Sequence, residues 1–178
     1  MRRSFLAALA AVCLAAGGAL AQQNRYYTGQ QWEPLFNGKD LSGWKIVGGE
    51  KWTVQDGQIV GESASGHGGF VVTERTFREF EISVQFRSDT PGNSGVFYHT
   101  SFDGNGKFLN GMQVEIDGEI NRHTAGLHEP YGRNWVVWPA PENEPVMRPG
   151  EWNDMLVKVV ANRVITRLNG VQMIDFTD

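Results

Sequence analysis

Three polar side chains occupy alternate positions in the run Gly111 to Asp117. They are Gln113, Glu115 and Asp117, and Met112, Val114 and Ile116 lie between them. A period of two is the signature of a strand with one buried face. Same-face positions repeat at about 7 Å along such a strand, so an amide and two carboxylates stand in a row. Like charges on one strand face repel, which weakens a strand whose only task is structural. One reading is a solvated outer face, common for acidic side chains. The other is an acid–base site held on a rigid sheet, and it is the one the surrounding residues favour.

A second alternating run, Phe80 to Arg87, turns Phe80, Ile82, Val84 and Phe86 one way and Glu81, Ser83, Gln85 and Arg87 the other. The two runs are expected to be adjacent inner strands of one sheet, with Glu81, Arg87, Glu115 and Asp117 lining its concave face. Asn93-Ser94-Gly95 opens the strand that follows, either as plain turn chemistry or as a contact to ligand. The stretch from Gly118 to Pro149 has no clear periodicity and carries His123, His128, Tyr131, Arg133, Trp135 and Trp138. A long aperiodic segment rich in aromatic residues suggests a functional wall or lid. Removing 121–138 is expected to abolish ligand binding and spare the fold.

The elements around these residues are short strands and turns. Trp52 to Gln55 and Gln58 to Gly61 flank Asp56-Gly57. Trp152 to Val160 and Arg163 to Leu168 precede Asn169-Gly170, which turns into Val171 to Phe176. Asp-Gly and Asn-Gly are hairpin signals. No stretch reads as a long amphipathic helix. The pattern is all-β, an antiparallel sandwich or jelly roll.

Composition sets the context. Arg2 and Arg3, the apolar run Phe5 to Leu14 and Ala19-Leu20-Ala21 form a secretory signal peptide, with cleavage expected after Ala21. The run is short for a membrane span. Residues 22–31 are expected to be a flexible leader and 32–178 one sandwich domain. The only cysteine, Cys13, falls in the signal, so the exported chain would be secreted or periplasmic without disulfides. Without Arg2 and Arg3 the chain has 14 basic residues against 20 acidic, a net charge of −6. Such a balance gives no footprint for nucleic acid.

Several motifs in order resemble a known family. They are Leu35-Phe36-Asn37-Gly38-Lys39-Asp40-Leu41-Ser42-Gly43-Trp44, then Phe80 to Arg87, then Asn93-Ser94-Gly95-Val96-Phe97. Gly150-Glu151-Trp152-Asn153 and Leu168-Asn169-Gly170-Val171 complete the series. Over roughly Trp32 to Asp178 the chain resembles the 3-keto-disaccharide hydrolase domain family, secreted bacterial sandwiches of concanavalin A-like fold. Many members place Glu before Gln on the central strand; here Gln113 precedes Glu115. Members usually continue for another strand pair, so the domain is expected to lack its last strands.

The resemblance implies a carbohydrate substrate oxidised at C3. The ketone acidifies the hydrogen on C2, a base removes it, and the group on C1 leaves by β-elimination. Water then adds to complete a net hydrolysis. Such a site needs a base, an acid and a stabiliser of the enolate. Glu115 is the candidate base, with Asp117 or His123 as acid or orienting group. Arg87 and Arg133 could hold the enolate or sugar hydroxyls, or Arg87 could neutralise Glu81 or Glu115. Gln113, Glu81 and Asn93 could hydrogen-bond sugar. His128, Tyr131 and Trp135 complete the expected substrate contacts, Trp135 and Trp138 stacking on sugar or packing the loop. Glu115, Asp117, His123 and His128 include oxygen and nitrogen donors that suit a divalent metal, at a spacing that matches no metal motif. Two rival readings follow. Glu115-Ile116-Asp117-Gly118-Glu119 resembles the E-x-D-x-E strand of retaining β-glucanases, in which Glu115 would be nucleophile and Glu119 acid. The same sandwich also serves non-catalytic carbohydrate-binding modules.

Overall fold

A computed structural model describes residues 3–6, 32–63, 68–88 and 92–178. The expected leader lies outside the described residues. The strands are β1 (Arg3–Leu6), β2 (Trp44–Gly48), β3 (Lys51–Gln55), β4 (Gln58–Ser63), β5 (Gly69–Thr73) and β6 (Phe80–Ser88). They continue as β7 (Asn93–Phe102), β8 (Phe108–Asp117), β9 (Leu127–Glu129) and β10 (Asn134–Val137). The last are β11 (Asn153–Val160), β12 (Arg163–Leu168) and β13 (Val171–Thr177). The only helical element among the described residues is a 3-10 turn at Glu144–Val146.

Seven strands form one sheet in the order β13-β12-β11-β6-β1-β4-β3, four form a second in the order β10-β9-β8-β7, and β2 pairs with β5. All the pairings are antiparallel. The chain is the expected all-β sandwich, since β6, β11, β12 and β13 bury Val84, Phe86, Met155, Val157, Val159, Val164 and Ile174 against Val114, Ile116 and Leu127 of the four-stranded sheet. The hairpin signals act as expected: Asp56-Gly57 and Asn169-Gly170 have positive φ at both central positions, the twist that suits tight antiparallel turns. β1 lies within the segment expected to be cleaved and runs between β4 and β6.

Two expectations are corrected here. β6 and β8 are not neighbours in one sheet. β6 pairs with β11, from Asn153↔Phe86 to Val159↔Phe80, whereas β8 pairs with β7 and β9. Alternation specifies that one face of each strand is buried, and both strands meet that demand by facing each other across the core. Nor is the stretch 118–149 a detachable lid. It supplies β9 and β10, and Ala125 and Leu127 are fully buried in the core, so excising 121–138 removes two strands of a four-stranded sheet.

Candidate active site

In an antiparallel ladder, residues directly opposite each other project to the same side. Asn93 lies opposite Asp117, Gly95 opposite Glu115 and Phe97 opposite Gln113. On the other flank of β8, His128 lies opposite Gln113 and Trp135 opposite His128. These side chains share the face of the four-stranded sheet that turns away from the core, because Met112, Val114 and Ile116 take the inner face.

Glu115 sits at the middle of that face and is only 3% exposed. One of its oxygens accepts a hydrogen bond from Asn93 Nδ2. The other accepts from Gln113 Nε2 at 3.0 Å, and the same amide donates to Ser94 O at 2.9 Å. Gly95 makes this arrangement possible. A Cβ there would stand 2.6 Å from Gln113 Cγ and 2.8 Å from its Nε2, so only glycine lets the amide lie across β7 to reach Glu115. Burial raises the Glu115 carboxyl to about 7; the Asn93 hydrogen bond pulls it down and the Asp117 charge pushes it up. An acid poised near neutrality is suited to take and return protons. Each carboxylate oxygen has two lone pairs and accepts one protein hydrogen bond, so capacity for a substrate proton remains.

The segment after β8 is tied down at successive residues. Thr124 Oγ1 accepts from Asp117 N at 2.9 Å and donates to Asp117 O at 3.0 Å. Ala125 N donates to Glu115 O at 2.8 Å, and Thr166 Oγ1 donates to Ala125 O at 2.6 Å. These bonds deliver His123 to the same side of the sheet. Its ring lies parallel to Trp138 at 4.6 Å and edge-on to Trp135 at 5.1 Å. Trp135 also meets the His128 ring at 5.1 Å. A cavity of about 590 Å³ adjoins the face, with Phe70, Phe97, Phe108, Gln113, His128 and Tyr131 in its wall. The Phe70, Phe97 and Phe108 rings contact one another at 5.0–5.7 Å. Glu115 connects to this cavity through Gln113.

The structure thus brings Asn93, Gln113, Glu115 and Asp117 together, places His128 and Tyr131 in the cavity wall, and sets His123 and Trp135 beside them. It does not bring Glu81, Arg87 or Arg133 to that face. Glu81 pairs with Lys158 at 3.2 Å across β6 and β11. Arg87, in the same sheet, lies over the Trp152 ring at 5.3 Å. Arg133 forms a fork with Asp178 at 2.6 and 2.7 Å and also bonds Glu129. Its guanidinium is turned to two carboxylates instead of the face. Glu119 is also out of the row: β8 ends at Asp117, Glu119 N–H donates to Asp117 Oδ1 at 3.0 Å, and the Glu119 carboxylate meets Arg122 at 3.2 Å. That geometry removes the third carboxylate the β-glucanase reading needs. Among the described residues no three His, Cys, Asp or Glu side chains converge as a metal-binding group.

Sequence reasoning missed Glu144, the phenylalanine wall and the space-making role of Gly95. Glu144 lies in Pro141-Glu142-Asn143-Glu144-Pro145, which reads as a solvated loop. The one available signal for the wall is the recurrence of phenylalanine at Phe70 on β5, Phe97 and Phe102 on β7 and Phe108 on β8.

Comparison with known proteins places the chain in a family. The family described as the 3-keto-alpha-glucoside-1,2-lyase-like domain matches residues 31–178. A protein named 3-keto-disaccharide hydrolase from Bacteroides thetaiotaomicron is 25% identical, over 80% of this chain and 57% of its own. The chain therefore spans little more than half the length of that relative. Two crystal structures from Parabacteroides distasonis, both of proteins provisionally named glycosyl hydrolases, superpose well. One has a TM-score of 0.63 at 28% identity, covering 82% of this chain and 71% of the other. The second has a TM-score of 0.60 at 23% identity, covering 83% and 73%, and speaks to the fold.

Proposed function

The chain belongs to the 3-keto-alpha-glucoside-1,2-lyase-like domain family, and on that premise we propose that it is an enzyme cleaving 3-keto-glycosides, with Glu115 as the base. The observation that carries this reading is Glu115 itself: a carboxylate buried on a strand face, held by two amides and raised to about 7. The sugar occupies the cavity against the Phe97 and Phe108 rings, within reach of His128 and Tyr131. Aromatic faces suit the apolar C–H surface of a pyranose, and the polar tips suit its hydroxyls.

Glu115 takes the C2 proton. The electron pair passes into the C3 carbonyl as an enolate, then returns to expel the group on C1 and leave a C1=C2 double bond. His123 gives the departing oxygen its proton. Water then adds: its hydroxyl joins C1, its remaining proton goes to His123, and Glu115 returns a proton to C2. The products are the free 3-keto sugar and the alcohol, and both side chains end as they began. Asn93 and Gln113 keep Glu115 in place while its charge changes. This reading is supported by the name of the Bacteroides relative. The test is aglycone release from a 3-keto-glucoside and from its unoxidised parent. Release from the ketone alone is expected, because only its C2 hydrogen is acidic. Equal release from both would instead indicate direct glycosidic hydrolysis, and binding of both without release would indicate a binding module.

A further inference from the structure

Glu144 is 6% exposed, and both of its oxygens are directed at one residue. Oε1 lies 2.8 Å from His123 Nδ1, and Oε2 accepts from the His123 backbone N–H at 3.1 Å. His123 is held at φ +63, a left-handed backbone uncommon for residues other than glycine. Trp138 covers one face of the ring and Trp135 abuts its edge. A carboxylate, a constrained backbone and two indoles therefore fix one imidazole.

The support extends one layer further. Glu144 opens the 3-10 turn Glu144–Val146, and Val146 O accepts from Asn169 Nδ2 at 2.7 Å. Asn169 also bonds Asn153 Oδ1 at 2.8 Å, and Asn153, fully buried, bonds Arg148 O and Glu151 O at 2.9 Å. The turn that carries Glu144 is thereby fastened to the β12–β13 hairpin. His128 differs: among the described residues its buried Nδ1 has no hydrogen-bond partner. Two histidines adjoin the sheet face, and only one is oriented by a carboxylate.

Resting on the function proposed above, we infer that Glu144 is the positioning residue of His123. It keeps the proton on Nδ1, so that Nε2 is the atom that gives a proton to the leaving oxygen and later takes one from water. A neutral imidazole has one donor and one acceptor nitrogen, and the partner of one nitrogen decides the role of the other. The leaving oxygen takes its proton from Nε2 of the doubly protonated ring, and Nδ1 keeps its own proton throughout.

The test pairs 15N NMR of His123 with turnover of a 3-keto-glucoside, in the wild type, Glu144→Gln, Glu144→Asp, His123→Gln and the Glu144→Gln, His123→Gln double variant. In the wild type the Nδ1 resonance should be that of a protonated nitrogen. A Gln at 144 has one acceptor for two donors, so Nδ1 protonation should be lost or mixed. Glu144→Gln should lower kcat by at least roughly 10- to 100-fold, the loss that follows removal of the carboxylate behind a metal-bound histidine, with KM within about twofold. Glu144→Asp, which keeps the charge, should recover part of the loss. In the His123→Gln background, Glu144→Gln should cost nothing further. An unprotonated Nδ1 in the wild type, an unchanged kcat in Glu144→Gln, or losses that multiply in the double variant would overturn the assignment. Because the wild-type resonance is read without substrate, it decides the pair even if a variant fails to fold. A wild type that cleaves no 3-keto-glucoside would refute the proposed function and leave the tautomer result standing.

Discussion

The two sheets present similar outward rows and treat them in opposite ways. On β6 and β11, Glu81 meets Lys158 and Gln85 Nε2 meets Asp154 Oδ1 at 2.7 Å, while Arg87 rests on Trp152. The Glu81 carboxylate there has a cation partner. On β7 and β8, Glu115 is more deeply buried, its hydrogen-bond donors are neutral amides, and the nearby charge acting on it is another carboxylate, Asp117. Pairing with a cation ties a carboxylate to structure. Burial among amides leaves the proton equilibrium near neutrality, which costs stability and gains chemistry. The difference between the sheets is thus one of compensation, not of residue type.

The sharpest way to break this contrast is to exchange each carboxylate for its amide. Glu115→Gln should lower turnover of a 3-keto-glycoside by roughly 100- to 10,000-fold, the usual range for general acid–base catalysis. Glu81→Gln, assayed in the same way, should leave turnover unchanged. Comparable losses in both would show that the compensated face also matters to the reaction.

A smaller effect is expected where the contrast depends on a missing side chain. Gly95→Ala brings a Cβ within 2.9 Å of Val114 O and closer still to Gln113. Overpacking of this kind costs about 1–3 kcal/mol, and here it also lifts Gln113 from Glu115. Denaturant titration should show that loss together with roughly tenfold slower turnover. Normal stability and normal rate would mean that Gln113 does not depend on the glycine.

The pH dependence follows from the same burial. Glu115 titrates at about 7 in the fold against a reference of 4.5. Below pH 4.5 the carboxyl is protonated in both states and costs nothing. Between 4.5 and 7 the unfolded chain ionises while the fold keeps its proton, so this contribution to stability falls as pH rises, by on the order of 3 kcal/mol in total. Above 7 it levels off. Turnover should rise with pH through the same region as the base is unmasked. Urea midpoints from pH 4 to 8 should decline less in Glu115→Gln than in the wild type; parallel declines would assign the pH dependence elsewhere. The least effect belongs to the compensated sheet. Lys158→Ala removes a half-buried ion pair at the surface and should cost about 1 kcal/mol or less without altering turnover; a larger change in either would show that the pair does more than neutralise Glu81.

How far this was legible in the sequence depended on range. The alternation of 80–87 and 112–117 predicted both strands and their inner faces, and Asp56-Gly57 and Asn169-Gly170 marked hairpins. Period and turn chemistry are local, so they can be read from one strand. The choice of β11 as neighbour of β6 is a long-range selection that alternation leaves open, which is why Glu81 and Arg87 were expected beside Glu115. The strands in 118–149 escaped notice because β9 and β10 are three and four residues long, too short for a period to register. Arg133 was expected at substrate on its residue type; Glu129 and Asp178 take up its guanidinium. Glu144 could not be found because its significance lies in a contact with His123, 21 positions earlier.

Hydrogen exchange at C2 reads the role of Glu115 directly. A 3-keto-glucoside is incubated in D2O with the wild type, Glu115→Gln or Glu81→Gln, and the recovered sugar is examined for deuterium at C2. Deuterium is expected at C2 with the wild type and Glu81→Gln, and a loss of that label, parallel to the loss of turnover, with Glu115→Gln. Labelling and turnover that both persist in Glu115→Gln would rule out Glu115 as the base.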